Sequence, residues 1–288
     1  MNSKPVNWGL FILLSFIWGS SFILMKEGLK ELTAYEVAAM RMLSAGIILL
    51  PFALKGFQQV DKKSMGYVLL TGVLGSFIPA ILFCVAETKI DSALAGMLNS
   101  LTPLCVVVIG ILFFRSKTQW QKIAGVVVGF AGMVLLFLTQ KSAAQDTHLS
   151  YALLVFIATL CYGVNVNILS KHLQHIPSLQ IAAIAFVALI IPSLIVLGMN
   201  GFFSHPFSNT AVIKAVGASA LLGVFGTAIA SVLFYVLMKR AGALFASMVT
   251  YGIPFVAVFF GVLAEETVTA LQIVGLLIIL SGVYIANK

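Results

Sequence analysis

Gly96-Met97-Leu98-Asn99-Ser100-Leu101-Thr102-Pro103 lies in one long apolar run, and Ser247-Met248-Val249-Thr250-Tyr251-Gly252-Ile253-Pro254 lies in another, 151 positions later. Gly96, Asn99, Ser100 and Pro103 match Ser247, Thr250, Tyr251 and Pro254, and their spacing places each set on one helical face. Each proline lacks an N–H and leaves the carbonyl four residues earlier, that of Asn99 or Thr250, without its helical partner. The match extends outward in both directions. Trp18-Gly19 recurs as Tyr162-Gly163, Gly72 and Gly75 as Gly223 and Gly226, and Gly125 and Gly132 as Gly275 and Gly282. The chain therefore reads as a tandem duplication, with one copy over residues 7–138 and the other over 149–286.

Composition identifies the solvent. Of 288 residues, 61% are hydrophobic and 9% charged, with a mean hydropathy of +1.10, outside the range of water-soluble domains. A hydrocarbon core takes about 20 apolar residues per helix, and ten such spans are expected, near 7–26, 34–54, 65–86, 92–114, 119–138, 149–170, 178–199, 213–237, 243–263 and 268–286. A β-barrel would alternate apolar and polar residues, whereas these runs are continuously apolar. The first run is too long for a signal peptide and lacks an evident small-residue cleavage site before Lys26, so it is read as a helix.

Five spans per copy is an odd number, so the second copy must cross the membrane in the opposite sense. Basic residues follow that expectation. With ten spans, the side of both termini carries Lys4, Lys55, Lys62, Lys63, Arg115, Lys117, Lys122, Lys171, Lys239, Arg240 and Lys288; the other carries Lys26, Lys30, Arg41, Lys89, Lys141 and Lys214. Lys and Arg favour the cytoplasmic side, so both termini are predicted cytoplasmic. The expected fold is an all-α membrane protein of ten transmembrane helices in two inverted five-helix repeats. The net charge of +8 is then a topology signal, and nucleic acid, which needs a basic face on a folded surface, is excluded as a partner.

Cys84, Cys105 and Cys161 lie in apolar runs without metal or disulfide spacing. His172 and His175 share a helical face but have no Cys or carboxylate beside them, so neither a metal nor a cofactor is expected. Polar side chains inside a span face a partner helix or a cavity. Asn99, Ser100, Ser247, Thr250 and Tyr251 are therefore candidates for binding a solute, with Pro103 and Pro254 breaking their helices. Trp18, Ser21 and Phe22 form a stripe whose repeat mates include Tyr162 and Asn165, an aromatic beside a hydroxyl or amide that suits an amphiphilic solute. Asn165 and Asn167 diverge around the helix, so one of them faces a cavity. Gly72, Gly75, Gly125, Gly132, Gly223, Gly226, Gly275 and Gly282 are expected to let helices approach closely. Arg41 lies about 10 Å below the outer boundary by helical rise, and snorkelling, cheaper than burial, gives it a structural role.

In order and repetition these features resemble the EamA family of the drug/metabolite transporter superfamily, over nearly the whole chain: the opening Trp18-Gly19-Ser20-Ser21-Phe22, Arg41, the two proline-broken polar helices and the glycine-rich closing helices. The resemblance implies a central cavity lined by spans one, three, four, six, eight and nine, and export of amino acids, other metabolites or toxic compounds from bacterial cells across the inner membrane. Glu265 and Glu266 fit the family pattern after the ninth span, whereas Arg115-Ser116-Lys117 departs from it after the fourth. No carboxylate falls near a predicted midplane, so neither proton coupling through a buried acid nor a strongly cationic substrate is expected. The expected function is alternating-access transport of small neutral or zwitterionic metabolites by a monomer or homodimer in the bilayer, with multidrug efflux as the alternative. An intramembrane enzyme lacks a base, since no histidine or carboxylate pair lies within a span; a channel or a non-transporting receptor is the remaining class.

Overall fold

The computed structural model describes residues 4–115, 120–139 and 147–286. Ser116, Lys117, Lys141, Lys288 and most of the segment joining the two copies lie outside the described residues. The described residues contain no strand. The first copy comprises α1 (Lys4–Gly28), α2 (Ala34–Gln59), α3 (Lys62–Gly72), a π-helical turn (Val73–Phe77), α4 (Ile78–Ala86), α5 (Ser92–Asn99), α6 (Thr102–Phe114) and α7 (Trp120–Thr139). The second comprises α8 (Thr147–His172), α9 (Ser178–Ala188), α10 (Ile190–Met199), α11 (Thr210–Gly223), a π-helical turn (Val224–Ile229), α12 (Ala230–Ala241), α13 (Ala243–Ser247), α14 (Val249–Leu263) and α15 (Ala270–Ala286).

Among the described residues eight helical runs are long and apolar enough to cross a bilayer. The helices expected at 119–138 and 268–286 are present, but their apolar stretches, Ile123–Leu136 and Ala270–Ile285, are shorter than the other eight. The outer surface explains the hydropathy. Ile12, Phe113 and Ile191 are 65%, 75% and 69% exposed, and apolar area in water costs about 25 cal/mol per Å², so this surface belongs against lipid. Helix starts are set by local chemistry. Thr33 and Glu36 close a reciprocal capping box on α2, and Asp61 Oδ1 accepts the Ser64 N–H at the start of α3.

Contacts between the copies come in exchanged pairs. Gly19 packs on Val256 and Gly163 on Cys105; Gly72 packs on Ala185 and Gly223 on Arg41; Gly132 packs on Gly275 and Gly282 on Gly125. In each pair the second contact is the first with the copies swapped, the signature of a two-fold relation. The glycines are needed where backbones touch. A Cβ on Gly132 would stand 2.7 Å from the Gly275 carbonyl oxygen, and one on Gly282 would stand 2.6 Å from that of Gly125. Arg115 and Glu265, matching positions after α6 and α14, both take the left-handed conformation, at φ 52° and 63°.

Both proline-bearing spans are interrupted, in different ways. The first breaks at Ser100-Leu101, between α5 and α6, where Pro103 sits in the first turn of the new helix. The second breaks earlier, at Met248, and Pro254 lies inside α14. The carbonyl that Pro103 frees is also occupied: the Thr102 hydroxyl donates to the Asn99 carbonyl oxygen at 2.8 Å. A free Asn99 carbonyl, expected from the missing N–H alone, is thus corrected by its neighbour.

Candidate functional site

A cavity between the copies encloses about 840 Å³ of space free of protein atoms, its open mouth included. Its wall takes Trp18, Ser21, Phe22 and Met25 from α1, Asn99 and Thr102 from the first broken span, Tyr162, Asn165 and Val166 from α8, and Ser247, Thr250 and Ile253 from the second broken span. The two π-turn spans supply Gly75, Ser76 and Phe83 in one copy and Gly226, Thr227, Ser231, Phe234 and Tyr235 in the other. Arg41 completes it from α2.

Eight of the ten solute-contact candidates are therefore in one wall. Ser100 and Tyr251 are not. Ser100 is fully buried and its hydroxyl donates to the Met97 carbonyl oxygen at 2.5 Å. Asn165 faces the cavity, while Asn167 donates to the Val106 and Gly163 carbonyl oxygens at 2.9 and 2.8 Å. His172 and His175 have separate partners: His172 stacks on the Tyr67 ring, centroids 4.2 Å apart, and His175 meets the Ser64 hydroxyl at 3.3 Å. No group of metal-ligating side chains occurs among the described residues.

Three of the candidate hydroxyls in the wall are anchored. Thr250 Oγ1 donates to the Ser247 carbonyl oxygen at 2.8 Å, Ser247 Oγ to that of Leu244 at 2.8 Å, and Ser21 Oγ to that of Ile17 at 2.7 Å. With their single hydrogens used on the backbone, these oxygens face the cavity as acceptors. On the aromatic side Phe22 meets Phe83 edge-on at 5.8 Å between centroids, and two further contacts are repeat mates: Phe83 stacks with Tyr162 at 6.2 Å, and Trp18 meets Phe234 at 5.3 Å.

The two π turns, at matching positions, were hidden in the sequence. Their hydrogen bonds run from residue i+5 to i, as from Ile78 N–H to the Val73 carbonyl oxygen and from Ala230 N–H to that of Phe225. An extra residue in a turn shifts the helix phase by about 100°, which brings Phe83, Ser231 and Phe234 round to the cavity. It also gives Gly75 and Gly226 a second task beyond helix packing. Trp18 Nε1 donates to the Gly226 carbonyl oxygen at 2.9 Å. In the cavity wall, a Cβ on Gly226 would stand 2.6 Å from Ser21 Oγ, and one on Gly75 would run into the Asn165 amide. Those two contacts are again repeat mates.

Beyond one end of the cavity lies a charged knot. Lys26 Nζ meets Glu266 Oε1 at 2.5 Å and Asp91 at 3.6 Å, and Glu266 also accepts the backbone N–H groups of Ser92 and Ala93 at 3.1 and 3.0 Å. Burial raises the Glu266 carboxyl, but these hydrogen bonds and the lysine outweigh it and hold it below the ordinary carboxylate range. Among the described residues Glu87, 4% exposed, accepts only the Ser92 hydroxyl at 3.1 Å and has one oxygen without a partner. Burial pushes its carboxyl well above that range, against the opposing pull of Ser92, Lys26 and Arg41. A buried acid is thus present at the end of a span although none was expected near a midplane. Its sign is the reverse of a salt-bridged carboxylate. Folding retains a proton that the unfolded chain gives up, so stability falls as pH rises from the ordinary value through the raised one. Glu87→Gln is expected to flatten the fall in melting temperature that begins as pH rises above the ordinary carboxylate value; a wild-type slope in the variant would show that Glu87 does not contribute to it.

An all-helical bundle with a lipid-facing surface and a polar, aromatic cavity between two cross-packed copies is a multi-pass membrane protein. The chain belongs to the EamA-like transporter family, whose model matches residues 8–138 and 149–288. It is 22% identical to an uncharacterized transporter of Archaeoglobus fulgidus over 98% of this chain and 99% of the relative. It is 26% identical to an S-adenosylmethionine/S-adenosylhomocysteine transporter of Chlamydia muridarum, covering 90% and 84%. It is also 23% identical to a "probable amino-acid metabolite efflux pump" of Salmonella typhimurium, covering 96% and 93%. A solved crystal structure shares the fold, with a TM-score of 0.68, 16% identity and coverage of 99% of this chain and 97% of that one.

Proposed function

We propose that the chain is a secondary carrier that moves small neutral or zwitterionic metabolites, amino acids foremost, outward across a bacterial inner membrane by alternating access. In this reading it has ten spans, in five-helix repeats of opposite orientation over 7–138 and 149–286, with both termini cytoplasmic. The observation that carries the reading is the cavity itself: repeat mates from both copies, Ser21 with Asn165 and Phe83 with Phe234, meet in one wall. A site shared between two symmetry-related units is exposed to either side as one rocks against the other. Asn99, Thr250, Ser247, Ser21 and Asn165 hydrogen-bond the solute, while Trp18, Phe22 and Tyr162 contact its apolar part. The name of the Salmonella relative, a "probable amino-acid metabolite efflux pump", supports the substrate class.

Counterflow in liposomes tests this. Preloaded unlabelled amino acid is expected to drive uptake of labelled amino acid, which neither an enzyme nor a receptor does. Asn99→Ala is expected to reduce that uptake by about tenfold or more, the loss of one to two buried hydrogen bonds, at unchanged membrane expression. Wild-type kinetics in this variant would remove Asn99 from the site.

A further inference from the structure

We infer that Arg41 is the anion anchor of the cavity, so that the transported solute carries a carboxylate, bound at the guanidinium, and an ammonium group, bound at Asn165. This rests on the carrier reading above and specifies the solute's chemistry.

The wall contains one formal charge. Arg41 is there, and no Asp, Glu or Lys accompanies it. Its Nε donates to Thr227 Oγ1 at 2.5 Å, and the Thr227 hydroxyl in turn donates to the Leu222 carbonyl oxygen at 3.3 Å within the π-turn span. The guanidinium is thereby fixed through one of its five donors, and the other four make no hydrogen bond or ion pair among the described residues. Two carboxylates contrast with it: Glu36 is paired with His205 at 3.0 Å, and Glu266 with Lys26. A cation at this depth is expensive unless something meets it, and a guanidinium fork matches a carboxylate with two parallel hydrogen bonds.

The anchor is also one-sided. The repeat mate of Arg41 is Ala185, which supplies the matching backbone contact but no charge. The pseudo-symmetric cavity therefore has a single polarity, and a solute with two unlike ends enters it in one orientation. For the other end, Asn165 is 5% exposed and its Oδ1 has no partner among the described residues. A carbonyl oxygen accepts and does not donate, so it calls for an N–H, and an ammonium supplies one. A lone guanidinium with no lysine beside it suits a single negative charge better than a phosphate dianion.

The test uses the full-length protein in liposomes with labelled proteinogenic amino acids, labelled choline as a cationic probe and labelled uridine as a neutral one. Amino acids are expected to exchange, and their amides and N-acetyl derivatives to compete at least about tenfold more weakly than the parent compounds. Arg41→Gln is expected to raise the half-saturating amino-acid concentration at least about 30-fold without lowering the melting temperature, since it removes an unpaired charge. Arg41→Lys, which keeps the charge and loses the fork, is expected to fall between. A purely structural Arg41 would instead lower the melting temperature in both variants and leave solute preference unchanged. If choline or uridine exchanges while amino acids do not, or if amides compete as well as acids, the anchor falls and the carrier stands. If none of the probes exchanges, the carrier reading falls with it.

Discussion

Gly75→Leu and Gly226→Leu are each expected to abolish solute exchange while the protein reaches the membrane in near wild-type amounts. Both glycines lie in π turns and line the cavity opposite the polar residue that opens the other copy. Any side chain there is directed at Asn165 or Ser21. The atoms first met are side-chain atoms, the Asn165 amide and Ser21 Oγ, so it is these side chains that must turn aside, and the bulk of leucine goes into space the solute needs. Leucine in a helical segment also gains up to about 1 kcal/mol of helix propensity over glycine, which offsets part of the steric cost. Loss of exchange without loss of fold is the result. Gly198→Leu on α10 is the control, because a Cβ there meets nothing within 4 Å. Because the two contacts are repeat mates, the two variants are expected to fail together. Wild-type exchange in either would place the solute elsewhere, whereas joint loss of expression would make the contacts structural.

The same two glycines show how far the sequence could be read. The spans were legible because a bilayer demands long uninterrupted apolar runs, and the repeat mates because glycine, proline and polar residues recurred at fixed offsets. What was lost is helix phase. A 3.6-residue period carried across the break at Ser100-Leu101 put Ser100 beside Asn99 in a common site, whereas leaving the helix there turns the Ser100 hydroxyl back onto the Met97 carbonyl. The π turns act in the same way at Phe83 and Phe234, whose entry into the cavity depends on one extra residue of winding that no residue type announces. Arg41 was read as snorkelling because, on an isolated helix, reaching the interface is its cheapest option. Thr227 on another element changes that balance. The signal available was its repeat mate: the matching position holds alanine, so the charge was not a requirement of the shared fold.

Glu266→Lys is expected to lower stability by about 3 kcal/mol and to leave the Lys26 end of the cavity open. Glu266 performs two tasks with one carboxylate. It pairs with Lys26 of α1, and it caps the start of α5 by accepting the Ser92 and Ala93 N–H groups, thereby tying the end of the second broken span to two elements of the first copy. An ammonium in its place would face both Lys26 and the positive end of a helix. The charge-swapped double variant, Lys26→Glu with Glu266→Lys, separates the tasks. It restores an ion pair, but an ammonium cannot accept an N–H, so recovery is expected to be partial, short by about 1 kcal/mol for the lost cap. Full recovery would make the ion pair the whole effect, and no recovery would make the cap the whole effect. The acid limb gives an independent check. The folded value of Glu266 is depressed, so its contribution is present above the ordinary carboxylate value and is lost as pH falls through the depressed one; Glu266→Gln is expected to lose that acid-dependent part. In the proposed alternating-access cycle, opening at this end would break the knot. Lys26→Met, which keeps the cap and removes the pairing cation, is therefore expected to shift the resting population toward the state open on the Lys26 side, read as faster labelling of a cysteine placed at Ser21 by a reagent added from that side. Unchanged labelling would leave Lys26 with a purely static role.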